Sequence, residues 1–153
     1  MVEKVKDILA SKGTEVVSVT PETGIMKALE VMAEHNIGAI LVLDASGEVA
    51  GIFSERDFAR KIILKANSCD TTIVKEVMTK KIVYADPSDS IENCMDLMTA
   101  HHFRHLPVKE NGKLVGVISI GDVVKALIER QGRIISQQAF EIGQNERKSS
   151  GAI

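Results

Sequence analysis

The sequence predicts an α+β fold that consists of two β-α-β-β-α repeats and an extended C-terminal helix. The phrase Gly-apolar-apolar-Ser-x-x-Asp occurs at residues 51–57 and again at residues 116–122. Strand-like apolar runs and stretches with helical apolar spacing follow one another in the same order in both halves of the chain. Residues after Lys125 continue the last helical pattern and have no counterpart in the first half. The chain is therefore expected to contain two copies of one structural unit.

The two halves align at an offset of 66 residues, which becomes 65 after one gap at a turn. Identical pairs before the gap are Pro21/Pro87, Met32/Met98, His35/His101 and Val42/Val108. Identical pairs after it are Gly47/Gly112, Gly51/Gly116, Ser54/Ser119 and Asp57/Asp122. An ordered run of identities with a single gap indicates duplication rather than two unrelated stretches with a similar pattern.

Each repeat begins with a short β-branched strand, which a proline and an amphipathic helix follow. The first strands are VVSVT at residues 16–20 and KIVYA at residues 81–85. Thr20 and Asp86 are candidate N-caps of the helices. In the first helix the residues expected on one apolar face are Ile25, Leu29, Met32 and Ala33.

Two further strands and a second helix complete each repeat. A Gly-containing hairpin turn joins the second and third strands. The predicted strands are AILVLD at 39–44 and VAGIFS at 49–54, with HLPVKE at 105–110 and LVGVIS at 114–119 as their equivalents. The closing helices are expected over residues 55–65 and from residue 121 onward.

We divide the chain at residues 66 and 130. Residues 1–66 hold repeat 1 with a helical lead-in, residues 67–130 hold a linker, a similar lead-in and repeat 2, and residues 131–153 hold the helical extension and tail. The sparse apolar residues near and within the extension are Ile128, Ile134, Ile135 and Ile142. Two alternatives stay open for the extension, namely packing on its own domain and packing on a partner chain.

The composition excludes several classes of protein. A net charge of −2 and an aromatic content of 3% argue against a nucleic-acid-binding surface. No apolar run reaches the roughly 18 residues that a membrane span needs. The N-terminus lacks the apolar segment of a secretory signal, and the two cysteines form no C-x-x-C motif. We expect a cytoplasmic protein with reduced thiols that binds neither membrane nor nucleic acid.

The repeated Ser-x-x-Asp phrase is the strongest candidate for a functional site. One interpretation is structural, because acidic residues near helix N-termini are favoured by the helix dipole. The alternative is nucleotide binding, in which N–H groups and the Ser54 or Ser119 hydroxyl hold phosphate. The carboxylate of Asp57 or Asp122 would then accept hydrogen bonds from two ribose hydroxyls.

The two copies differ in their neighbouring charges. Arg56, Arg60 and Lys61 add cations to the first copy, whereas Ile120 and Gly121 occupy the second. Gly121 leaves room for close approach of the backbone. We expect the second copy to take its positive charge from two residues of the second strand region, Arg104 and His105.

No catalytic or metal-binding set is visible in the sequence. The motif His-His-x-x-His at 101–105 lacks nearby carboxylate or thiolate ligands. The serines lack a base and an acid partner and are not part of a G-x-S-x-G elbow. We expect a protein that is not an enzyme and binds no metal.

Together the repeats resemble a tandem pair of CBS domains, known as a Bateman module. The motifs that carry the resemblance are the proline after each first strand, IGAILV, RHLPV, the hairpin glycines, GIFSERD and GVISIGD, and it covers about residues 5–130. The pattern is similar to small stand-alone two-CBS proteins. The resemblance implies that the repeats pack about a pseudo-twofold axis, form two clefts and assemble into a homodimer.

The resemblance also implies a ligand and its contacts. The expected ligand is an adenine nucleotide, AMP first, with NAD(H), ADP or ATP as alternatives and S-adenosylmethionine within the range of the family. Residues before and in the first strands, at 14–16 and 80–82, would contact adenine through backbone groups and apolar side chains, among them Thr14, Val16, Lys80 and Ile82. Residues that start the second strands would line the clefts, namely Ile37, Gly38, Ala39, Phe103, Arg104 and His105. The ribose and phosphate contacts would be Ser54, Arg56, Asp57, Ser119, Gly121 and Asp122.

The function implied is regulatory. Ligand binding would shift a conformational equilibrium that a separate, unidentified protein detects, in the manner of an energy or redox sensor. The alternative is an interaction or scaffold protein whose clefts no longer bind nucleotides.

Overall fold

A computed structural model describes residues 2–149 of the chain. The tail residues 150–153 and the side chains of residues 133, 134, 136 and 144–149, which include the predicted apolar position Ile134, lie outside the part described. The architecture is α+β, with two sheets, helices packed on them and a long C-terminal helix.

The first half contains two helices, three strands and a short helical segment with a π-helical turn. A lead-in helix, α1 (Val5–Lys12), precedes β1 (Ser18–Val19), α2 (Ile25–His35), β2 (Ala39–Leu43) and β3 (Val49–Ser54). A short helical turn, α3 (Glu55–Asp57), continues into a π-helical turn at Phe58–Ile63. β1 pairs parallel with β2, and β2 pairs antiparallel with β3.

The second half repeats this order with one strand fewer. The lead-in α4 (Val74–Val77) is followed by α5 (Ile91–His101), β4 (His105–Glu110), β5 (Lys113–Ser119) and α6 (Ile120–Ser149). β4 and β5 form an antiparallel pair. α6 begins at the predicted position and extends the fold beyond the second repeat.

The predicted strand at 81–85 is wrong, because only Ala85 forms a bridge, with Val108 of β4. Its N–H donates to the Pro107 carbonyl at 2.9 Å, and its carbonyl accepts from the Lys109 N–H at 3.0 Å. Continuing the ladder would require an N–H from Pro107, which proline lacks. In the first half this position is Leu41, and β1 forms there.

The first helices of the repeats begin later than the candidate caps predicted. Thr20 and Asp86 lie in turns, and the N-caps are Gly24 for α2 and Ser90 for α5. The Ser90 hydroxyl accepts a hydrogen bond from the Asn93 N–H at 3.0 Å. On α2, Ala33 is exposed and Leu29 half-buried, and the buried face consists of Ile25, Ala28 and Met32.

Neither lead-in helix packs against the repeat that it precedes in sequence; each packs against the other repeat. α1 contributes Val5, Ile8 and Leu9 to the core of the second repeat, together with Leu106 and Ile118. α4 contributes Val74, Val77 and Met78 to the core of the first repeat, together with Ile25 and Phe53. The lead-ins are therefore exchanged between the repeats, and this exchange joins the two halves into one unit.

Two glycines allow these helices to approach the sheets. A Cβ on Gly116 of β5 would lie 2.7 Å from a terminal methyl carbon of Leu9. A Cβ on Gly51 of β3 would lie 2.6 Å from the Met78 sulfur and 2.9 Å from the Thr79 carbonyl oxygen. The aligned Gly51/Gly116 pair in the sequence thus marks equivalent helix contacts.

Candidate functional site

At both strand–helix junctions the Ser-x-x-Asp phrase forms a capping box. The Ser54 N–H donates to Asp57 Oδ2 at 3.0 Å, and the Asp57 N–H donates to the Ser54 hydroxyl at 3.2 Å. The Ser119 N–H donates to Asp122 Oδ2 at 2.8 Å, and the Asp122 N–H donates to the Ser119 hydroxyl at 3.2 Å. The structural interpretation of the phrase is therefore correct, and the same groups also line cavities.

Two clefts lie where the repeats meet. The Asp57 cleft, of about 480 Å³, contains Ser54 and Asp57 from the first repeat and residues 101–105 from the second. The Asp122 cleft, of about 360 Å³, contains Ser119 and Asp122 from the second repeat and residues 36–41 from the first. Each cleft therefore combines the Ser-x-x-Asp phrase of one repeat with the second-strand region of the other.

Most of the predicted site residues line these clefts. Those in the Asp57 cleft are Ser54, Arg56, Asp57, Phe103, Arg104 and His105, with Gly38 and Ala39 at its wall. Those in the Asp122 cleft are Ser119, Asp122, His105, Ile37, Gly38 and Ala39. Gly38, Ala39 and His105 therefore belong to a wall that the two clefts share.

The segments predicted to contact adenine, residues 14–16 and 80–82, line the clefts only in part. The residues that line the clefts there are Glu15, Val17, Thr79, Lys81 and Val83. Thr14, Val16, Lys80 and Ile82 line neither cleft. Successive side chains of an extended segment point to opposite sides, so only the middle residue of each predicted segment, Glu15 or Lys81, lines a cleft. Gly121 also lines neither cleft and is exposed in the first turn of α6.

Asp57 is buried, with 7% of its surface exposed, and its carboxylate is fully engaged within the protein. Oδ2 accepts from the Ser54 N–H at 3.0 Å and from the Ser54 hydroxyl at 3.1 Å. Oδ1 accepts from the Thr79 hydroxyl at 3.0 Å and lies 3.1 Å from Lys61 Nζ. Since a carboxylate has about four acceptor sites, this side chain has none to spare.

Asp122 is more exposed and less saturated. Its Oδ2 lies 2.7 Å from Lys12 Nζ, which also donates to the Val117 carbonyl at 3.0 Å. Oδ1 accepts no hydrogen bond from any residue within 2–149 whose contacts are described. Burial acts to raise the pKa of Asp122, but the hydrogen bonds from Lys12 and Ser119 and the Lys12 charge outweigh it. The pKa of Asp122 therefore lies below its ordinary value.

The expected source of positive charge for Asp122 is wrong in part. Arg104 lines the Asp57 cleft, and the cation beside Asp122 is Lys12 from α1. Burial, followed by the charge of Lys12, lowers the pKa of His105, and Asp122 opposes this shift. A lowered pKa disfavours the charged form of His105, so Lys12 is the main positive charge beside Asp122.

The residues that sequence reasoning missed, Lys12 and Thr79, come from the exchanged lead-ins. Lys12 ends α1, and Thr79 follows α4. The two lead-ins resemble each other in sequence, which signals equivalent positions in the fold. That similarity does not indicate which repeat each lead-in contacts.

Two features do not occur among the residues that the structure describes. No group of three or more His, Cys, Asp and Glu side chains is arranged to hold a metal ion. No described helix combines the length and the apolar character required to cross a membrane.

Comparison with known proteins identifies the family. The CBS domain matches residues 5–64 and 74–129, so the chain belongs to the CBS-domain family and contains two CBS domains. A crystal structure of a CBS-domain protein from Agrobacterium tumefaciens is 44% identical, with a TM-score of 0.79, over 82% of this chain and 94% of that one. A mitochondrial CBS-domain protein of Arabidopsis thaliana, CBSX3, is 34% identical over 81% of this chain, which spans 64% of that protein.

Two more distant structures share the fold. A CBS-domain protein from Pyrobaculum aerophilum, complexed with AMP, is 23% identical, with a TM-score of 0.68, over 78% of this chain and 88% of that one. The CBS-domain pair of the protein MJ0100, in complex with 5'-methylthioadenosine and S-adenosyl-L-methionine, is 21% identical, with a TM-score of 0.75, over 85% of this chain and 99% of that one.

Proposed function

We propose that this chain is a regulatory module that binds an adenosine-containing nucleotide between its CBS domains. The observation that carries the proposal is the Asp122 cleft, where one carboxylate oxygen lacks a protein donor in the part of the chain described. That oxygen is suited to accept hydrogen bonds from ribose hydroxyls. Lys12 Nζ makes two hydrogen bonds and retains a third donor for a phosphate oxygen.

The class of ligand is supported by the distant structures that contain AMP and S-adenosyl-L-methionine. AMP is the first ligand to test, followed by ADP, ATP and NAD(H). The clefts have the size of a small-molecule site and an apolar wall that includes Ile37, Ile52 and Val83.

The proposed output is conformational. Since each cleft takes residues from both repeats, a bound nucleotide would contact both and favour one arrangement of them. Lys12 links α1 to Asp122 of α6, so a phosphate that competes for Lys12 would alter the contact between these helices. A separate protein in the cytoplasm would detect the change, and the module itself would catalyse no reaction.

The module is proposed to act as a homodimer that associates through its helices. Large apolar side chains remain exposed at Ile63 (59%) and Leu64 (78%), at the end of the π-helical turn, and at Ile128 (65%) on α6. We expect sedimentation equilibrium to give a dimer mass, and Ile63→Glu with Leu64→Glu to give a folded monomer. A monomer mass for the unsubstituted chain would contradict the proposal.

Thermal denaturation with millimolar AMP, ADP, ATP, NAD⁺, NADH or S-adenosylmethionine tests the function. A ligand at a hundredfold excess over its Kd stabilises the folded state by about 2.7 kcal/mol and raises the Tm. The variant Asp122→Ala should melt cooperatively and lose the shift with AMP, because it removes the carboxylate oxygen that is free to accept from ribose. If none of these ligands shifts the Tm of the unsubstituted chain, the scaffold alternative replaces the sensor.

A further inference from the structure

The two clefts carry opposite charge. The Asp57 cleft is lined by two carboxylates, Glu55 and Asp57, and by five cationic side chains, Arg56, Arg60, Lys61, Lys81 and Arg104. The Asp122 cleft is lined by two carboxylates, Glu15 and Asp122, and by a single cation, Lys12. With histidines neutral, the first lining is strongly positive and the second weakly negative. A cleft concentrates its field, so this difference affects which ligand each one binds.

Three of the five cations in the Asp57 cleft are available to a ligand. Lys61 is held by Asp57 and by the Val77 carbonyl, to which it donates at 2.8 Å. Arg56 makes one hydrogen bond, to the His102 carbonyl at 3.3 Å. Within the described part of the chain, the side chains of Arg60, Lys81 and Arg104 make no hydrogen bond or ion pair. One phosphate group carries up to about two negative charges, which is fewer than these cations balance.

The acceptor capacity of the two clefts differs in the opposite direction. All four acceptor positions of Asp57 are occupied by Ser54, Thr79 and Lys61. The Asp57 cleft therefore offers a ligand mainly donors, and guanidinium groups bind phosphate oxygens in pairs. In the Asp122 cleft an acceptor oxygen and one Lys12 donor remain, which suits a ribose and one phosphate.

From these contacts we infer that the clefts sort ligands by their number of phosphates. The Asp57 cleft is the site for a chain of two or three phosphates, and the Asp122 cleft takes at most one. This inference rests on the proposed function, which supplies the nucleoside. The module would then compare nucleotides of high and low phosphate content in two separate sites.

Isothermal titration calorimetry with adenosine, AMP, ADP, ATP and inorganic tripolyphosphate tests the inference. The buffer contains EDTA, because a divalent cation would mask the phosphate charge. We expect ATP to bind one cleft about tenfold or more tightly than AMP, with an affinity that falls as salt rises. We expect AMP to bind at the other cleft with little dependence on salt.

Substitutions assign each binding event to a cleft. Arg60→Gln with Lys81→Gln should remove the preference for ATP and leave AMP binding unchanged. Both side chains are exposed, so the fold should persist. Lys12→Gln should weaken AMP binding and leave ATP binding unchanged. Lys75→Gln with Lys125→Gln removes the same charge from exposed positions outside both clefts and should change neither.

The outcomes separate the inference from the proposed function. Equal affinities for AMP and ATP, or an ATP preference that survives Arg60→Gln with Lys81→Gln, would overturn the inference and leave the function standing. Tripolyphosphate binding that depends on Arg60 and Lys81, without binding of any adenosine compound, would support the phosphate-chain site and overturn the function. Absence of binding by all five probes would overturn the inference and exclude AMP, ADP and ATP as ligands of the proposed function.

Discussion

The first and second repeats share the same helix-capping features and differ in the side chains that line their clefts. Both first helices end in a left-handed residue, Asn36 at φ 52° and His102 at φ 58°, and both closing helices start with a capping box. Yet Asp57 lies among arginines and lysines, whereas Lys12 is the one cation that lines the Asp122 cleft among the side chains that the structure describes. Duplication thus preserves the groups that set the chain path. The other groups that line the clefts are not needed for that path, and they differ between the repeats.

The largest expected difference between the repeats is the loss of stability when alanine replaces Gly51 or Gly116, the glycines that contact the exchanged lead-ins. We expect Gly51→Ala to destabilise the protein near the upper end of about 1–3 kcal/mol, and Gly116→Ala near the lower end. The added carbon at Gly51 meets the Thr79 backbone oxygen, which cannot move alone. At Gly116 it meets the flexible end of Leu9. Denaturant unfolding measures both free energies.

A control distinguishes steric contact from the general effect of replacing glycine. Gly132 lies within α6 with no atom within 4 Å of an added Cβ. Gly132→Ala should therefore stabilise the helix by roughly 0.5–1 kcal/mol. Equal destabilisation by Gly51→Ala and Gly116→Ala would show that the two lead-in contacts are equally rigid. It would contradict the expected difference between the repeats.

Much of the fold follows from the sequence because duplication makes each half a check on the other. The third strands and the strand–helix junctions at Ser54 and Ser119 are found where the pattern predicts them. The missing strand at 81–85 depends on one N–H that Pro107 of the neighbouring strand lacks, so the local pattern does not reveal it. Whether this segment forms a strand depends on the residues of its pairing partner, β4.

The site was predictable where it depends on local sequence and not where it depends on tertiary contact. The capping-box residues are adjacent in the chain, and their aligned copies identified them. Lys12 meets Asp122 across 110 positions through an exchange of lead-ins that no local pattern indicates. The sequence does not distinguish Thr14 and Lys80 from the cleft-lining Glu15 and Lys81, because a short, weakly patterned extended segment does not reveal which face is inward.

A smaller expected effect concerns the charge of Lys12, which lowers the pKa values of two residues in the Asp122 cleft, His105 and Asp122. Burial of His105 is the main reason for its lowered pKa, and Lys12 adds to it. For Asp122, Lys12 is the main group that overcomes the effect of burial. We expect Lys12→Met to raise the pKa of both groups, since removing a positive charge disfavours their less protonated forms. NMR titration of the two side chains measures each shift directly.

The same substitution changes how stability depends on pH. Both folded pKa values lie below the unfolded ones, so each group stabilises the folded state above its unfolded pKa, about 6.5 for His105 and about 3.9 for Asp122. That stability is lost as the pH falls through the folded values. The partly exposed ion pair of Lys12 and Asp122 contributes about 0.2–1 kcal/mol, and the loss of stability below pH 4 should shrink in Lys12→Met.

Lys75→Met, at an exposed site outside the clefts, should leave both pKa values in place. Unchanged values in Lys12→Met would mean that Lys12 does not set the charge of the Asp122 cleft, and the contrast between the clefts would then rest on the Asp57 side alone.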